Sequence, residues 1–335
     1  MPADNDQNPE PDWLLNLPTR SEDIGFSPDE LVHCDGCGKP NAPHRVTCLY
    51  CGKGLGADGI ERLDLRELES WENGFNLVLL DSTNADVDMA AKQLAVILGM
   101  GRDAVVALLE AGDRIPLCRL EAEAKASALA DKLGELGVRT MVVSDDSLQV
   151  KSPPSRLRSI TFQIESLTLE LFNSGEKVEL RPHDLALLIP GIFVEERTES
   201  IGKRKRKSTR TVREIETSSD QPVIDIYSAH DPNGWRIPGT GFDFSCLGAD
   251  KSLIVAENMK ALETKLAQFA PSARVIDDYK RIRLSLEAAW PSESKRDSQL
   301  SGVGLRDVSN VFTTNNSQQF TKFSRLQWRL YEKEV

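Results

Sequence analysis

Four of the six cysteines in this 335-residue chain fall in one stretch, CDGCGKPNAPHRVTCLYC, as Cys34-x2-Cys37, ten residues, then Cys48-x2-Cys51. Two residues between cysteines allow a tight turn that aims both sulfurs at one ion. Each pair continues as Cys-Gly-Lys, through Gly38-Lys39 and Gly52-Lys53. Glycine there permits the φ > 0 backbone that turns N–H groups back toward the thiolates. Two such turns facing each other complete a tetrahedral four-sulfur shell. That donor set selects one Zn²⁺, and iron also accepts it. A closed shell keeps no position for water or substrate, so the expected metal is structural and not catalytic. His33 and His44 flank the shell and read as surface residues, because four thiolates already fill it. Cys118 and Cys246 stand in apolar surroundings and read as small buried hydrophobes.

The other chemistry-bearing residues are more dispersed. Lys203, Arg204, Lys205, Arg206, Lys207 and Arg210 put six basic groups in eight positions. Such a run between two strands reads as a hairpin tip contacting phosphates of RNA, DNA or anionic lipid, or as a solvated loop balanced by Glu195, Glu196 and Glu199. No aromatic interleaves it, so base stacking is not expected. His230-Asp231 lies in the turn HDPNGW without a Ser or Cys nucleophile in a supporting context, and reads as turn-stabilising. His183 follows Pro182 with no partner evident. Asp277 and Asp278 precede Lys280, Arg281 and Arg283, as exposed helical ion pairs would. Gly99-x-Gly101 lacks the third glycine and the preceding strand of a phosphate-binding loop. The chain is therefore expected not to be an enzyme.

Composition bounds the elements that must hold these groups. The chain is 40% hydrophobic and 28% charged, with 41 basic against 52 acidic residues, net −11. Such a field opposes wholesale wrapping of nucleic acid or of an anionic membrane. The charge is uneven: residues 61–150 carry net −8, whereas 151–335 carry 28 basic and 25 acidic groups, net +3. No run of 18 apolar residues occurs, and MPADNDQNPEPDW has neither a basic nor an apolar leader region, so a cytoplasmic location is expected. A disulfide framework is disfavoured there.

Residues 34–51 resemble the zinc-ribbon family of two-knuckle modules, over about twenty residues. From Trp71 the pattern is strand, helix, helix, helix, strand: GFNLVLLDS, ADVDMAAKQLAVILG, DAVVALLEAG, RLEAEAKASALADKLGELG and VRTMVVSDD. The Gly99-Met100-Gly101 break, the run AVVALLE and the run EAKASALADKLGELGV resemble the C-terminal domain of the bacterial ribosomal stalk protein, over roughly residues 74–145. That resemblance implies a helical face that recruits translational GTPases through basic residues. Lys92 keeps one such position, whereas Ala95, Asp103 and Val106 stand where the family has Arg or Lys. The expectation is a reused protein-contact module.

SPPSRLRS (152–159) reads as a linker. Short β-like runs follow at about ten-residue spacing: SITFQIE, LTLELFN, EKVEL, LALLIPGIFVEERTE, TVREIET, PVIDIYS and GFDFSCLG. Then come two amphipathic helices, IVAENMKALETKLAQFA and ARVIDDYKRIRLSLEAAW. This order weakly resembles a pleckstrin-homology-like roll. In the tail, Phe320, Phe323, Leu326 and Leu330 recur at helical spacing and favour docking on the protein's own body.

The expected architecture is α+β and multi-domain, combining a zinc ribbon, a small α/β domain and an antiparallel β-roll with closing helices. Its parts are an acidic disordered stretch (1–30, with Trp13-Leu14-Leu15 as an anchor), the ribbon (31–58), the stalk-like domain (71–147), the roll (156–291) and the tail (292–335). The expected role is a non-enzymatic zinc-binding adaptor for a protein partner. The alternative is a nucleic-acid- or ribosome-associated factor using the ribbon and the basic loop.

Overall fold

In the computed structural model, which describes residues 31–42, 45, 48–53, 68–69, 72–81, 87–98, 101–110, 114–205, 208–301 and 307–334, the chain divides into two units, Met1–Arg62 and Leu63–Val335. The expected acidic stretch and its Trp13 anchor lie outside the described residues. In the first unit β1 (Val32–His33) pairs antiparallel with β2 (Pro40–Asn41). Among the described residues of this unit, the apolar cluster is Cys34 and Cys48 with Val32 against them, and that much apolar surface cannot by itself offset the entropy of ordering them.

The second unit is mixed α+β. Its first sheet has the order β4-β3-β5, all antiparallel, from β3 (Phe75–Asp81), β4 (Ile115–Leu120) and β5 (Arg139–Ser144). Leu77, Val78 and Leu79 of the central strand are fully buried, as a continuous apolar run requires. Helices α1 (Val87–Leu98), α2 (Arg102–Glu110) and α3 (Glu123–Glu135) contribute Leu94, Ile97, Val105, Leu108, Leu129 and Leu133 to the core. The sequence pattern predicts two strands here and the structure has three. IPLCRL is short and contains Pro116, which a strand tolerates at a sheet edge, where β4 lies. A one-turn helix, α4 (Asp145–Leu148), follows β5.

The second sheet has nine strands in the order β13-β14-β9-β10-β11-β6-β7-β8, with β12 added on β9. Its strands are β6 (Ser155–Phe162), β7 (Leu167–Leu171), β8 (Lys177–Leu180), β9 (Leu185–Lys205), β10 (Ser208–Ser228), β11 (Asp231–Pro238), β12 (Arg274–Val275), β13 (Glu293–Ser301) and β14 (Asp307–Asn315). Only β11–β6 and β12–β9 pair in parallel. Part of the expected linker is strand, since Ser155 already pairs with Trp235. The expected run LALLIPGIFVEERTE extends to Lys205 as β9, and the separately expected TVREIET and PVIDIYS merge into β10, each strand 21 residues long. GFDFSCLG enters a 3-10 turn instead of a strand, because the Asp243 carboxylate accepts the Ser245 N–H and starts the turn. Leu157, Leu169, Leu188, Ile226 and Ile237 pack against Met259, Leu262 and Leu266 of α5 (Val255–Phe269). The second expected helix is shorter, α6 (Tyr279–Leu286). Its predicted first turn instead extends the sheet as β12, and the Ile276 N–H donates to the Leu188 carbonyl at 2.9 Å.

The chain ends in α7 (Ser317–Glu334), which is buried on every side from Gln319 to Trp328. Phe320, Phe323, Leu326 and Leu330 are all buried, so the tail docks on its own body as expected. Phe320 meets Phe193 and Tyr279 edge-on, at centroid distances of 5.7 and 4.9 Å. Gly191 makes that approach possible, because a Cβ there would sit 2.1 Å from the Phe320 ring. The helix also carries Gln319, Thr321, Lys322, Ser324, Arg325 and Gln327 into the interior. Arg325 donates to the carbonyls of Pro232 (2.7 Å) and Ser152 (2.6 Å), and Ser324 bonds the Tyr227 hydroxyl at 2.7 Å. Gln327 donates to the Arg114 carbonyl at 3.0 Å. A buried bond from Trp290 Nε1 to Asn76 Oδ1 at 2.7 Å reinforces the same junction of the two sheets. Among the described residues, no helix is long and apolar enough to cross a membrane.

Candidate metal centre

The four cysteine sulfurs lie within 4.8 Å of one another and could hold one metal ion. Cys34 and Cys51 Sγ are 3.6 Å apart, and Cys37 and Cys48 Sγ are 3.4 Å apart. Zn–S bonds of ~2.3 Å in a tetrahedron place sulfurs about 3.8 Å apart, so a zinc ion fits with small adjustment. The two halves are built alike. In the first, the Cys34 N–H donates to the Lys39 carbonyl (3.0 Å), the Gly38 N–H to the Cys34 carbonyl (2.7 Å) and the Gly36 N–H to Cys34 Sγ (3.3 Å). In the second, the Cys48 N–H donates to the Lys53 carbonyl (2.7 Å), the Gly52 N–H to the Cys48 carbonyl (2.9 Å) and the Tyr50 N–H to Cys48 Sγ (3.4 Å). Gly38 and Gly52 close the turns at φ of 68° and 72°, which costs a glycine little. The duplicated Cys-x-x-Cys-Gly-Lys sequence therefore becomes a duplicated hydrogen-bond pattern, with the first cysteine of each pair buried and the second exposed.

Asn41 is the residue that the cysteine spacing does not announce. Buried at the end of β2, it accepts the Leu49 N–H at Oδ1 (2.9 Å) and sends its Nδ2 to the Lys39 carbonyl (2.8 Å) and to Cys48 Sγ (3.5 Å). It ties the two turns together and adds a donor to one sulfur, the task of an outer-shell residue. Its position opposite Val32 in a two-residue strand leaves no periodic signal in the sequence.

These contacts divide the protons unevenly. Burial opposes ionisation of Cys48, yet the N–H groups of Tyr50 and Cys51, with Cys37 and Asn41, outweigh it and bring the thiol down to about 6. At Cys37 the Lys39 N–H favours the thiolate, but burial and the three neighbouring sulfurs prevail and push it up to about 12. Cys51 is held up as well: the Lys53 N–H favours its thiolate, but Cys34 and burial prevail. Metal must displace protons from this set, so uptake strengthens with pH.

The other candidate residues fall elsewhere. His33 is exposed at the end of β1, and His44 lies outside the described residues. Cys118 is buried in β4, which pushes its thiol up to about 12, and Cys246 is half-buried. Lys203, Arg204 and Lys205 end β9, with Arg210 opposite Lys203 on β10, whereas Arg206 and Lys207 lie outside the described residues. His230 and His183 share a partner, the Asp184 that directly follows His183: their Nε2 atoms lie 3.1 and 3.4 Å from the same Asp184 oxygen. The Arg181 N–H and both imidazoles hold the Asp184 carboxyl below its usual range. Asp231 accepts the Asn233 N–H at 2.9 Å, the turn-stabilising role expected of HDPNGW. Asp278 pairs with Arg281 at 2.8 Å.

No protein-family model, no curated protein and no solved structure matches this chain.

Proposed function

We propose that the protein is a non-enzymatic zinc-binding adaptor, in which one structural Zn²⁺ on Cys34, Cys37, Cys48 and Cys51 organises the N-terminal unit and a protein partner docks on the chain. One observation carries the structural-metal reading. Four mutually facing sulfurs, with matched backbone donors on both halves, use up a tetrahedral ion's coordination. The repeated knuckle favours the zinc-ribbon reading of residues 31–58. In the stretch resembling the stalk protein, Lys92 and Met89 are exposed on α1, which suits a contact face. The strongest buried polar groups of the second unit serve cohesion: Arg236 grips Asp225 through two 2.7 Å bonds, and Asp145 accepts from Gly74, Asn76 and Arg119.

A second reading, contact with a polyanion, is favoured by where the basic residues lie. Although Asp307 of β14 stands opposite Lys203 itself, the acids expected to balance them, Glu195, Glu196 and Glu199, pair in register with Ser219, Ser218 and Ile215, four or more residues back along β9 from Lys203. At ~3.3 Å per residue that is at least about 13 Å, beyond the ~8 Å screening length at physiological ionic strength.

The test is affinity capture with the zinc-loaded chain and with a Cys34→Ser/Cys51→Ser variant, each with and without nuclease. Nuclease-resistant proteins retained by the wild type and lost by the variant support the adaptor through its metal unit. Captured proteins that all vanish with nuclease contradict it and leave the second reading.

A further inference from the structure

We infer that Leu49 and Tyr50, on the turn between Cys48 and Cys51, form a docking surface for a segment of a partner protein that combines an apolar side chain with a carboxylate, the carboxylate meeting Lys39. This rests on the adaptor reading and names the part of the metal unit that makes the contact.

The first argument is a comparison internal to the unit. The repeat sets Asp35 and Gly36 where the second turn has Leu49 and Tyr50. Their backbones do the same work: the Gly36 N–H donates to Cys34 Sγ at 3.3 Å and the Tyr50 N–H to Cys48 Sγ at 3.4 Å. Neither position therefore needs an apolar side chain to hold its sulfurs. Leu49 and Tyr50 are nonetheless 64% and 54% exposed. Among the described residues the unit's apolar cluster is two cysteines and Val32, so turning a leucine and a tyrosine to solvent adds nothing to its cohesion. Adjacent large apolar side chains, exposed beyond structural need, mark a contact surface.

The second argument is the lysine. Each lysine of the repeat crosses to the other turn. The Lys53 stem lies over Gly36, where an added Cβ would meet its Cδ at 2.6 Å. Lys39 instead places its ammonium 4.5 Å from the centre of the Tyr50 ring. A cation over a ring is held more strongly once water is excluded. A partner that covers Tyr50 also buries this ammonium, and a buried ammonium needs an anion. The one acid between Leu31 and Lys53 is Asp35, on the opposite turn. The partner must therefore bring its own Asp or Glu beside the apolar side chain that meets Leu49 and Tyr50.

The third argument selects a protein. Between Leu31 and Lys53, Lys39, Arg45 and Lys53 oppose the single acid Asp35. Four thiolates around one Zn²⁺ add two negative charges, so the loaded stretch is formally neutral. Nucleic acid is held chiefly by neutralising its phosphates, and anionic lipid by clustered cations, and a neutral patch supplies neither. Protein contacts centre on aromatic residues in charge-poor surroundings.

The experiment pans a phage-displayed library of random dodecapeptides on the full zinc-loaded chain and on a Leu49→Asp/Tyr50→Gly variant, which gives the second turn the residues of the first. The variant should keep one zinc per chain in elemental analysis. Peptides enriched on the wild type should pair large apolar residues with Asp or Glu. A fluorescein-labelled peptide of the enriched sequence, followed by anisotropy, should bind the variant at least about ten-fold more weakly. Tyr50→Phe should stay within about two-fold of wild type. Lys39→Gln should bind about three-fold more weakly, a difference that high salt removes. Should the double variant lose zinc, Leu49→Asp alone, at the more exposed side chain, carries the comparison with a loss of about five-fold. Enrichment that does not distinguish wild type from variant overturns the site. Enriched peptides without an acid, bound equally by Lys39→Gln, overturn the carboxylate contact. Labelled oligouridylate bound by the wild type and lost by the variant overturns the protein partner in favour of single-stranded nucleic acid. Nuclease-resistant capture that survives Leu49→Asp/Tyr50→Gly overturns this surface and leaves the adaptor reading standing, whereas captured proteins that all vanish with nuclease remove both.

Discussion

The four-cysteine unit and the body around α7 arrange their polar atoms in opposite ways. In the first, four sulfurs and matched N–H donors are directed toward one point, and among the described residues the apolar cluster amounts to two cysteines and Val32. In the second, one helix sends its polar side chains outward to many partners: Gln319 to Tyr279, Trp290 and Glu287, Thr321 to Arg236, Ser324 to Tyr227, and Arg325 to Pro232 and Ser152. On the proposed reading, one region depends on a single ion and the other on distributed packing. The lesson is that a short-range motif concentrates stability where a mutation or chelator removes it whole, whereas a long-range network loses it in parts.

The comparison breaks most sharply at the ion. Cys34→Ser should abolish stoichiometric zinc in elemental analysis and make residues 31–53 protease-sensitive, since apparent binding energies of ~10–16 kcal/mol in such sites are folding energy. The body should stay resistant. Next is the seat of α7. Phe320→Ala should destabilise the body by about 4 kcal/mol in denaturant titration, with zinc content unchanged. Gly191→Ala should cost about 3 kcal/mol through its 2.1 Å encounter with Phe320, and little more in the Phe320→Ala background, because the two share one contact.

Lys322 sharpens the contrast in the other direction. Burial lowers its ammonium to about 8, with Asp145 and Glu293 opposing that shift and Arg119 reinforcing it. The unfolded chain keeps this proton to about 10.4. Unfolding therefore takes up a proton between about 8 and 10.4, and the group's contribution to stability rises with pH across that window. Lys322→Met should stabilise the body by about 2 kcal/mol at pH 7 and flatten that alkaline rise, as read by chemical denaturation at several pH values. The smallest effect is at Asn41. Asn41→Ala should weaken zinc affinity about ten-fold in a competitive chelator titration without preventing folding.

The metal centre was legible because its information is local: Cys34, Cys37, Cys48 and Cys51 lie within eighteen positions, and their spacing alone dictates convergence. Asn41 was not, since it reaches Cys48 from a two-residue strand without periodicity. In the body, helices α1, α2, α3 and α5 followed from their apolar spacing. Strand β4 did not, because six residues containing Pro116 support neither period. The apolar stripe of α7 predicted that it docks, yet burial on all sides was hidden by Lys322, Arg325 and Gln327, whose partners lie in other elements. The predicted strands TVREIET and PVIDIYS became one, β10, because Ser218 and Ser219 look like a break while cross-strand pairing carries through them.

The central claim is that metal holds the first unit and packing holds the second. Hydrogen exchange read by mass spectrometry, before and after zinc is stripped with a chelator, tests it most directly. The account predicts that residues 31–53 lose protection while 317–334 and β9 keep theirs. Retained protection across 31–53 after zinc removal, or loss spreading into 317–334, would contradict it.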